Sequence, residues 1–194
     1  MLNIINSTLK KIDVIAQCQI ECFPNSFNSK LGQAFVGKTL TWFLKDNNKF
    51  LYHIEENGKV VGFCGGFVPQ FYGDGSSSGM LQQGFKEAVI GVLKRPWLFF
   101  NKEMIAYYPF IIRNIKKKLG LRKTTAAAPK PENFEFKKGA GLVVIGVHPA
   151  FRGKGVFEQL MIEFERKATE RNLTECFLSV RADNARAIAA YKKM

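Results

Sequence analysis

The sequence predicts an α/β domain, and two stretches of the chain carry that prediction. Residues 142–147 form a continuous apolar run, typical of a buried strand, and a glycine-containing turn and a helical pattern follow it. Residues 50–55 and 59–68 have the pattern of two strands, and the Asn57-Gly58 pair between them is a strong signal for an antiparallel hairpin. The chain has 194 residues, 46% of them hydrophobic and 23% charged, which suffices for one domain with a sizeable core.

Strand and helix patterns also precede the hairpin. Residues 2–6 are predicted to form the first strand, and Ser7 or Thr8 to cap a helix that Pro24 ends. Apolar residues at steps of three and four define the core-facing side of this helix: Leu9, Ile12, Ala16, Ile20 and Phe23. A second helical pattern occupies residues 30–46.

The C-terminal part of the chain is predicted to add a helix, a strand and a further helix. The helix over residues 155–171 has one apolar face, and Glu163 and Lys167 can pair on the opposite face. The apolar face consists of Val156, Phe157, Leu160, Met161, Phe164 and Ala168. Residues 174–180 have the pattern of a strand, and a last helix starts at Asn184.

Residues 70–139 form an insert between the third and fourth predicted strands. A structureless loop of this length would be unusual within a compact domain, so we expect helices at about 80–94 and 101–119, separated by an Arg-Pro pair. Glycine-, serine- and alanine-rich stretches predict flexible ends for the insert at 73–79 and 124–131.

The positive charge of the chain is concentrated in the insert. The insert holds thirteen basic and five acidic residues, and therefore accounts for +8 of the net charge of +13. A field of this sign favours anionic partners, such as phosphorylated molecules, acidic membrane surfaces or nucleic acid. We expect no nucleic-acid binding, because no recognition motif accompanies the charge.

Composition argues against several other classes of protein. No apolar run approaches the roughly 20 residues that a membrane helix requires, and the N-terminus lacks the apolar core of a secretory signal, so we expect a cytoplasmic protein that does not span a membrane. The four cysteines form no Cys-x-x-Cys pair and only two histidines are present, so no metal site is predicted. Cys18 and Cys22 are expected to be small buried side chains on one face of the first helix.

The turn after the strand at 142–147 is a candidate anion site. It reads Arg152-Gly153-Lys154-Gly155, and a helix begins directly behind it. Glycine lets backbone N–H groups approach a phosphate closely, and the dipole of the following helix favours the anion. A short glycine-basic string is a weak signal alone, and its place between a strand and a helix raises its value.

Two motifs together resemble the GCN5-related N-acetyltransferase (GNAT) superfamily, which transfers acyl groups from coenzyme A to amines. The glycine turn is similar to the coenzyme-binding motif Arg/Gln-x-x-Gly-x-Gly/Ala, and Asn184 and Tyr191 keep the seven-residue spacing of the second motif. The resemblance implies a mixed, mainly antiparallel sheet flanked by helices, with the helical insertion between the third and fourth strands. It further implies one acyltransferase domain over 1–194, whose last strands would follow Met194.

The resemblance also implies a donor site for acetyl-CoA, with no metal. The turn would give N–H groups to the pyrophosphate, the strand around Val147 would pair with the pantetheine arm, and Asn184 would contact the arm from the other side. The Gly/Ala position that ends the motif is Phe157 in this chain, and we expect this side chain to point into the core. The expected coenzyme-binding residues are Val147, Arg152, Gly153, Lys154, Gly155, Val156, Phe157 and Asn184.

The expected catalytic residue is Tyr191, which would protonate the departing thiolate; its structural alternative is an aromatic anchor for the last helix. The general base is left open. In the similar protein N-terminal alanine acetyltransferases a Glu lies five residues before the Asn, a position that Ser179 occupies in this chain. Glu21, His53 and Glu55, or a chain of waters, are weak candidates, and His148 is not favoured.

The acceptor is predicted less sharply than the donor. A primary amine on a small molecule is preferred, with an amino sugar or another phosphate-bearing molecule first, and a protein or peptide amine second. The alternative from another class is a coenzyme-A-fold binding module without catalysis, which would use the insert to dock on a membrane or on nucleic acid. The insert could cover the acceptor cleft, hold a phosphate or a membrane surface, or join two copies of the chain; its structural alternative, a packed helical hairpin with solvated lysines, is favoured over a membrane-surface element.

Overall fold

The computed structural model describes residues 2–71, 74, 76–105, 108–109, 112 and 138–194. In this part of the chain a five-stranded sheet has the order β1-β2-β3-β4-β5. The strands are β1 (Asn3–Asn6), β2 (Lys49–Glu56), β3 (Lys59–Phe67), β4 (Ala140–Val147) and β5 (Cys176–Leu178). The first three pairings are antiparallel and the β4–β5 pairing is parallel, which confirms a mixed, mainly antiparallel sheet.

Helices cover both faces of this sheet. They are α1 (Ile12–Cys22), α2 (Phe27–Leu31), α3 (Gln33–Leu40), α4 (Ser76–Gln83), α5 (Phe85–Lys94), α6 (Val156–Thr169) and α7 (Ala185–Lys192). Short 3-10 turns occupy Leu9–Lys11, Thr41–Leu44, Pro96–Phe100 and Pro149–Phe151. None of the helices in the described ranges is both long and apolar enough to cross a membrane.

Two hydrophobic clusters lie on opposite faces of the sheet because successive side chains of a strand alternate in direction. Leu51 of β2 packs with α1 and α3, whereas the neighbouring Tyr52 packs with α6. The cluster under α1 and α3 also receives Val92 of α5, so the insert helix shares a core with the rest of the domain. Tyr52 fixes α6 further by donating a hydrogen bond to the Leu160 carbonyl at 2.5 Å.

The hairpin is confirmed, and its turn residues show why. Asn57 and Gly58 have φ angles of 50° and 77°, and such left-handed conformations join two strands in a tight turn. β2 and β3 pair over their whole lengths, with a register shift between Ile54 and Glu55.

The start of the first helix was predicted wrongly. Thr8 precedes a 3-10 turn and makes no side-chain capping bond, while the hydroxyl of Ser7 is hydrogen-bonded to His53 Nδ1 at 2.8 Å. Leu9 is 70% exposed, because the turn tilts it away from the core face that Ile12 and Ala16 occupy. Cys18 and Cys22 are buried side by side as predicted, with their sulfur atoms 4.0 Å apart.

Two further helices differ from their predicted extents. The helix expected over 30–46 is divided at Gly32, whose φ of 104° interrupts α-helical geometry between α2 and α3. In the insert, residues 76–79 were expected to be flexible and instead belong to α4. The first predicted insert helix is split at Gly84, where the chain passes close to Phe35. Most of the second predicted helix and the segment at 124–131 lie outside the described residues.

Glu163 and Lys167 were expected on the solvent side of α6 and are in fact buried. Lys167 Nζ lies 3.3 Å from Glu163 Oε1 and donates to Asn6 Oδ1 at 2.7 Å. The edge strand β1 therefore covers this side of α6, a contact that helix periodicity alone cannot reveal. The hydrogen bonds from the Arg166 guanidinium lower the pKa of the Glu163 carboxyl, so the carboxylate stays charged.

Close packing under α6 predicts a strong effect of Gly66→Ala. A Cβ at this position would lie 2.5 Å from the Phe50 ring and 2.7 Å from the Phe164 ring, and both rings are buried. We expect a loss of about 1–3 kcal/mol in the free energy of unfolding, measured by urea denaturation. Gly37→Ala is the control: its Cβ would meet nothing closer than 3.4 Å, and inside α3 it should stabilise the protein by roughly 0.5–1 kcal/mol. Equal urea midpoints of unfolding for the two variants would contradict this account of the packing.

Candidate functional site

A groove opens where β4 and β5 separate. The two strands pair only at Ala140–Cys176, Gly141–Phe177 and Leu142–Leu178, and β4 then runs on to Val147. On its other side β4 contains a bulge, since Gly65 opposes Val144 while Gly66 opposes Leu142, which leaves Val143 as an extra residue. A bulge bends and twists a strand. It lies at the point where the β4–β5 pairing stops, so the strands diverge beyond it.

Backbone polar groups of β4 line this β4–β5 groove. The His148 N–H donates to the Val61 carbonyl at 2.9 Å, so that residue faces β3. Because the hydrogen-bonding direction alternates along an antiparallel strand, the backbone groups of Val147 and Ile145 face the groove instead. An extended molecule placed in the groove would therefore meet the edge of a strand.

The groove has a volume of about 880 Å³ and receives residues from four elements. Its walls are β4, the turn that precedes α6, the first half of α6, and α7 together with the segment before it. Among the predicted site residues it brings together Val147, Arg152, Gly153, Phe157, Asn184 and Tyr191.

The glycine turn, residues 152–155, stands at the end of the groove next to α6. Gly153 and Gly155 have φ angles of 74° and 76°, which L side chains rarely adopt. A Cβ added to either glycine would meet no atom within 4 Å, so the space over the turn is open. No side chain caps the start of α6, which leaves the first N–H groups and the positive end of the helix dipole for a ligand. The turn can therefore hold an anion through its backbone.

The side chains of the glycine turn serve the fold more than the groove. Arg152 donates to two carbonyl oxygens, Val147 O at 3.4 Å and Cys22 O at 3.1 Å, and so ties the end of α1 to the end of β4. The Lys154 ammonium lies 5.0 Å from the centre of the Phe151 ring. The Val156 side chain is buried beneath α6, so only its backbone can contribute to a ligand site.

Phe157 was predicted to point into the core, and this prediction is wrong. Its ring is half-buried, lines the groove, and meets the Tyr191 ring edge-on with 5.5 Å between ring centres. The reason is its place in the first turn of α6, opposite the Tyr191 ring of α7. Burial of Tyr191 in this contact raises the pKa of its phenol, which stays protonated at neutral pH.

Asn184 lines the groove and also begins α7. Its Oδ1 accepts a hydrogen bond from the Ala187 N–H at 3.1 Å, the geometry of an N-cap. The capping bond fixes the side chain at the rim of the groove.

Two of the four candidate bases lie in a network away from the groove. His53 is fully buried and is bonded to Ser7 Oγ and, at 3.2 Å, to Glu55 Oε1. Glu55 is also bound by the Lys11 ammonium at 2.7 Å. Burial lowers the pKa of His53, and the Lys11 hydrogen bond lowers that of Glu55. The contacts of these groups identify them as structural.

Glu21 and His148 form a pair beside the end of β4. Glu21 Oε2 lies 2.9 Å from His148 Nε2, and His148 Nδ1 accepts a hydrogen bond from the Ala150 N–H at 3.2 Å. Gln17 donates to the other oxygen of Glu21, and this bond lowers the pKa of the carboxyl. Each polar atom of the pair thus has a protein partner, which disfavours either group as a base.

Sequence reasoning missed several charged residues that line the groove. Arg181, Arg186, Lys193 and Glu158 all contribute to its walls. Arg186 and Lys193 could have been found by helical periodicity, because they lie seven residues apart on α7, as do Asn184 and Tyr191. With Arg152, the lining therefore carries four basic groups and one acid. In the described ranges no three His, Cys, Asp or Glu side chains come together as a metal site.

Comparisons with known proteins agree with this architecture. Residues 118–194 match the model of the acetyltransferase (GNAT) family. A mycothiol acetyltransferase of Amycolatopsis mediterranei is 33% identical over 76 residues, which are 39% of this chain and 25% of that protein. An acetyltransferase of Pectobacterium atrosepticum is 40% identical over 50 residues, 26% of this chain and 36% of that protein. The chain thus matches only a quarter to about a third of the length of these relatives.

Solved structures share the fold over nearly the whole chain. The aminoglycoside N-acetyltransferase AAC(6')-Iy in complex with CoA superposes with a TM-score of 0.60 at 11% identity, over 100% of this chain and 86% of that one. A ribosomal-protein-alanine N-acetyltransferase from Brucella melitensis superposes with a TM-score of 0.54 at 13% identity, over 100% of this chain and 89% of that one. Residues 118–194 of this chain therefore match the acetyltransferase (GNAT) family, and the chain shares its fold with these solved structures.

Proposed function

We propose that this protein is an N-acetyltransferase that transfers the acetyl group of acetyl-CoA to a primary amine. The observation that carries the proposal is the β4–β5 groove, which has an open glycine turn at one end and the Tyr191 phenol in its wall. The family match and the acetyltransferase names of the relatives support the same activity.

The groove fits the shape and charge of coenzyme A. The pyrophosphate would accept hydrogen bonds from the backbone of the glycine turn, where a Cβ would otherwise fill the open space. The extended pantetheine arm carries amides, which would pair with the groove-facing backbone of Val147 and Ile145. Arg186 and Lys193 add positive charge along the wall that α7 forms. Lys154, Gly155 and Val156 would contribute through the turn and the start of α6, outside the groove proper.

The chemical step requires few protein groups. The neutral amine attacks the thioester carbon, the C–N bond forms, and the carbonyl oxygen becomes an oxyanion that groove-facing N–H groups of β4 would stabilise. When the C–S bond breaks, the Tyr191 phenol gives its proton to the departing thiolate. The ammonium formed on the product loses a proton to water, and the solvent returns a proton to the Tyr191 phenolate. Because burial raises its pKa, Tyr191 holds that proton throughout the neutral range. The engaged Glu21–His148 pair favours proton loss to water over a dedicated base.

The positive charge of the chain bears on the kind of acceptor. Several structural neighbours are aminoglycoside acetyltransferases, and aminoglycosides are polycations. The net charge of +13 would repel a polycation and would attract a phosphate. We therefore propose an amino sugar, or another small amine, that carries a phosphate group.

The insert reaches the rim of this groove. Glu103 of the insert lies 3.7 Å from the Arg181 guanidinium, which also makes a bidentate pair with Asp183. The insert is thus placed beside the segment that leads into α7. A contact between the insert and a bound acceptor agrees with this position.

A protein amine is the second candidate acceptor. The Brucella melitensis neighbour is named for a ribosomal protein, and its fold covers the whole of this chain. Against this acceptor stands Ser179, which lines the groove and cannot act as an ordinary base without a partner.

A panel of amines tests the activity and the acceptor together. With acetyl-CoA, release of the free thiol should be fastest with a phosphorylated amino sugar such as glucosamine 6-phosphate. Its KM should be about 10–100-fold below that of glucosamine, because charge-assisted hydrogen bonds bind the phosphate. A polycationic aminoglycoside or a peptide N-terminus as the best acceptor would refute the phosphate preference alone. Coenzyme binding without turnover on any amine would refute the enzymatic proposal.

Gly155→Val tests the glycine turn. The added side chain would occupy the space over the turn, so the dissociation constant of acetyl-CoA in calorimetry should rise about 10–100-fold. Gly58→Val is a matched control, because Gly58 has nearly the same φ, 77° against 76°, and equally open surroundings, but lies in the hairpin turn. Both variants should lose about 1–2 kcal/mol of stability from backbone strain. Unchanged affinity of Gly155→Val would remove the turn from the donor site.

Tyr191→Phe tests the proposed acid. The ring contact with Phe157 is kept, so acetyl-CoA affinity and KM should change little, whereas kcat should fall about 100-fold or more. Tyr108→Phe, which removes a hydroxyl bonded to the Phe99 carbonyl in the insert, should leave kcat unchanged. If Tyr191→Phe keeps full turnover, Tyr191 is only an anchor of α7.

A further inference from the structure

A second feature of the molecule, separate from the groove, is an exposed apolar face on the insert. We propose that this face docks the protein on an anionic lipid bilayer. The insert face consists of the exposed side chains of α5 and of the residues after it: Lys86, Val89, Ile90, Leu93, Lys94, Trp97, Phe99, Phe100 and Lys102.

Helix α5 is apolar on both of its sides. Val92 is buried in the core, and Gly91 lies so close to Leu31 that a Cβ would overlap its carbonyl group. The opposite side carries Ile90 and Leu93, which are 41% and 68% exposed. A surface helix normally presents polar residues to water, so an apolar outer side indicates that another apolar phase covers it.

Aromatic side chains continue this surface beyond the end of α5. Trp97 and Phe100 are 65% and 85% exposed, whereas Leu98 between them is buried and fixes the turn to the core. Tryptophan and phenylalanine at such a position are typical of helices that lie in the interface between lipid head groups and acyl chains. The 3-10 turn therefore projects two rings in a defined direction.

Basic residues surround the apolar side chains. Lys86, Lys94 and Lys102 are exposed, and Arg95 is anchored by a hydrogen bond to the Lys30 carbonyl. Glu87, by contrast, is half-buried, so its carboxylate is not part of the exposed face. Positive charge around an apolar centre is complementary to a bilayer that contains anionic lipids, and this arrangement favours a membrane over a second copy of the same basic chain.

The docking proposal is tested by co-sedimentation with vesicles of phosphatidylcholine, with and without phosphatidylserine. The protein should bind the anionic vesicles, and Leu93→Ser, Trp97→Ser and Phe100→Ser should each lower the partition coefficient about fivefold. Leu9→Ser is the matched control, because Leu9 is 70% exposed on a surface outside the insert. Lys94→Gln should lower binding to anionic vesicles about fivefold, and Lys10→Gln, an exposed lysine of the first 3-10 turn, should have a smaller effect.

Quenching by brominated lipids locates the contact. Trp97 should be quenched in bound vesicles and Trp42, which is buried in the core, should not. Trp97→Phe should thus abolish quenching while most of the binding remains. The proposal is wrong if anionic vesicles fail to bind the protein, if Leu9→Ser weakens binding as much as Leu93→Ser, or if the insert face joins two copies in sedimentation equilibrium. Turnover of soluble amines is measured separately, so the outcome does not depend on the proposed acetyl transfer.

Discussion

The bulge at Val143 is the constraint on which the site depends. A strand in the middle of a sheet normally pairs on both sides along its length, and β4 does so only as far as Leu142. Beyond the bulge the strand keeps its bonds to β3 and loses β5, so the backbone of Val147 and Ile145 borders an opening instead of a neighbour. Unpaired strand edges are unfavourable when buried, and this one is compatible with a stable fold because a ligand or water can complete its hydrogen bonds.

The rest of the domain fixes β4 from both faces of the sheet. On one face, α6 is hydrogen-bonded to β2 through Tyr52 and to β1 through the Lys167–Asn6 contact. Lys167 also pairs with the buried Glu163 carboxylate. On the other side, Arg152 links α1 to the end of β4 by its two bonds to carbonyl oxygens. The arginine next to the glycines thus has a structural task, and the anion-binding capacity of the turn comes from its backbone.

Local signals in the sequence predicted the parts of the molecule that local chemistry determines. The Asn57-Gly58 turn follows from backbone preferences, and the glycine turn from the positive φ angles that Gly153 and Gly155 supply. Features that depend on distant partners were not accessible. The burial of Glu163 requires β1, the direction of Phe157 requires α7, and the bulge at Val143 exists only relative to β3. The position of the glycine turn was therefore predictable, while the walls of the groove were not.

The close approach of Gly91 to the Leu31 carbonyl has a mechanical consequence. Helix backbones that touch without intervening side chains leave little room for sliding, and the buried Val92 and Leu98 fix α5 and its following turn to the same core. Helix α5 and the turn after it are accordingly fixed rigidly to the rest of the domain. If the insert face rests on a bilayer, the lipid surface sets the orientation of the whole domain, and the mouth of the groove is held at one height and one angle above the membrane.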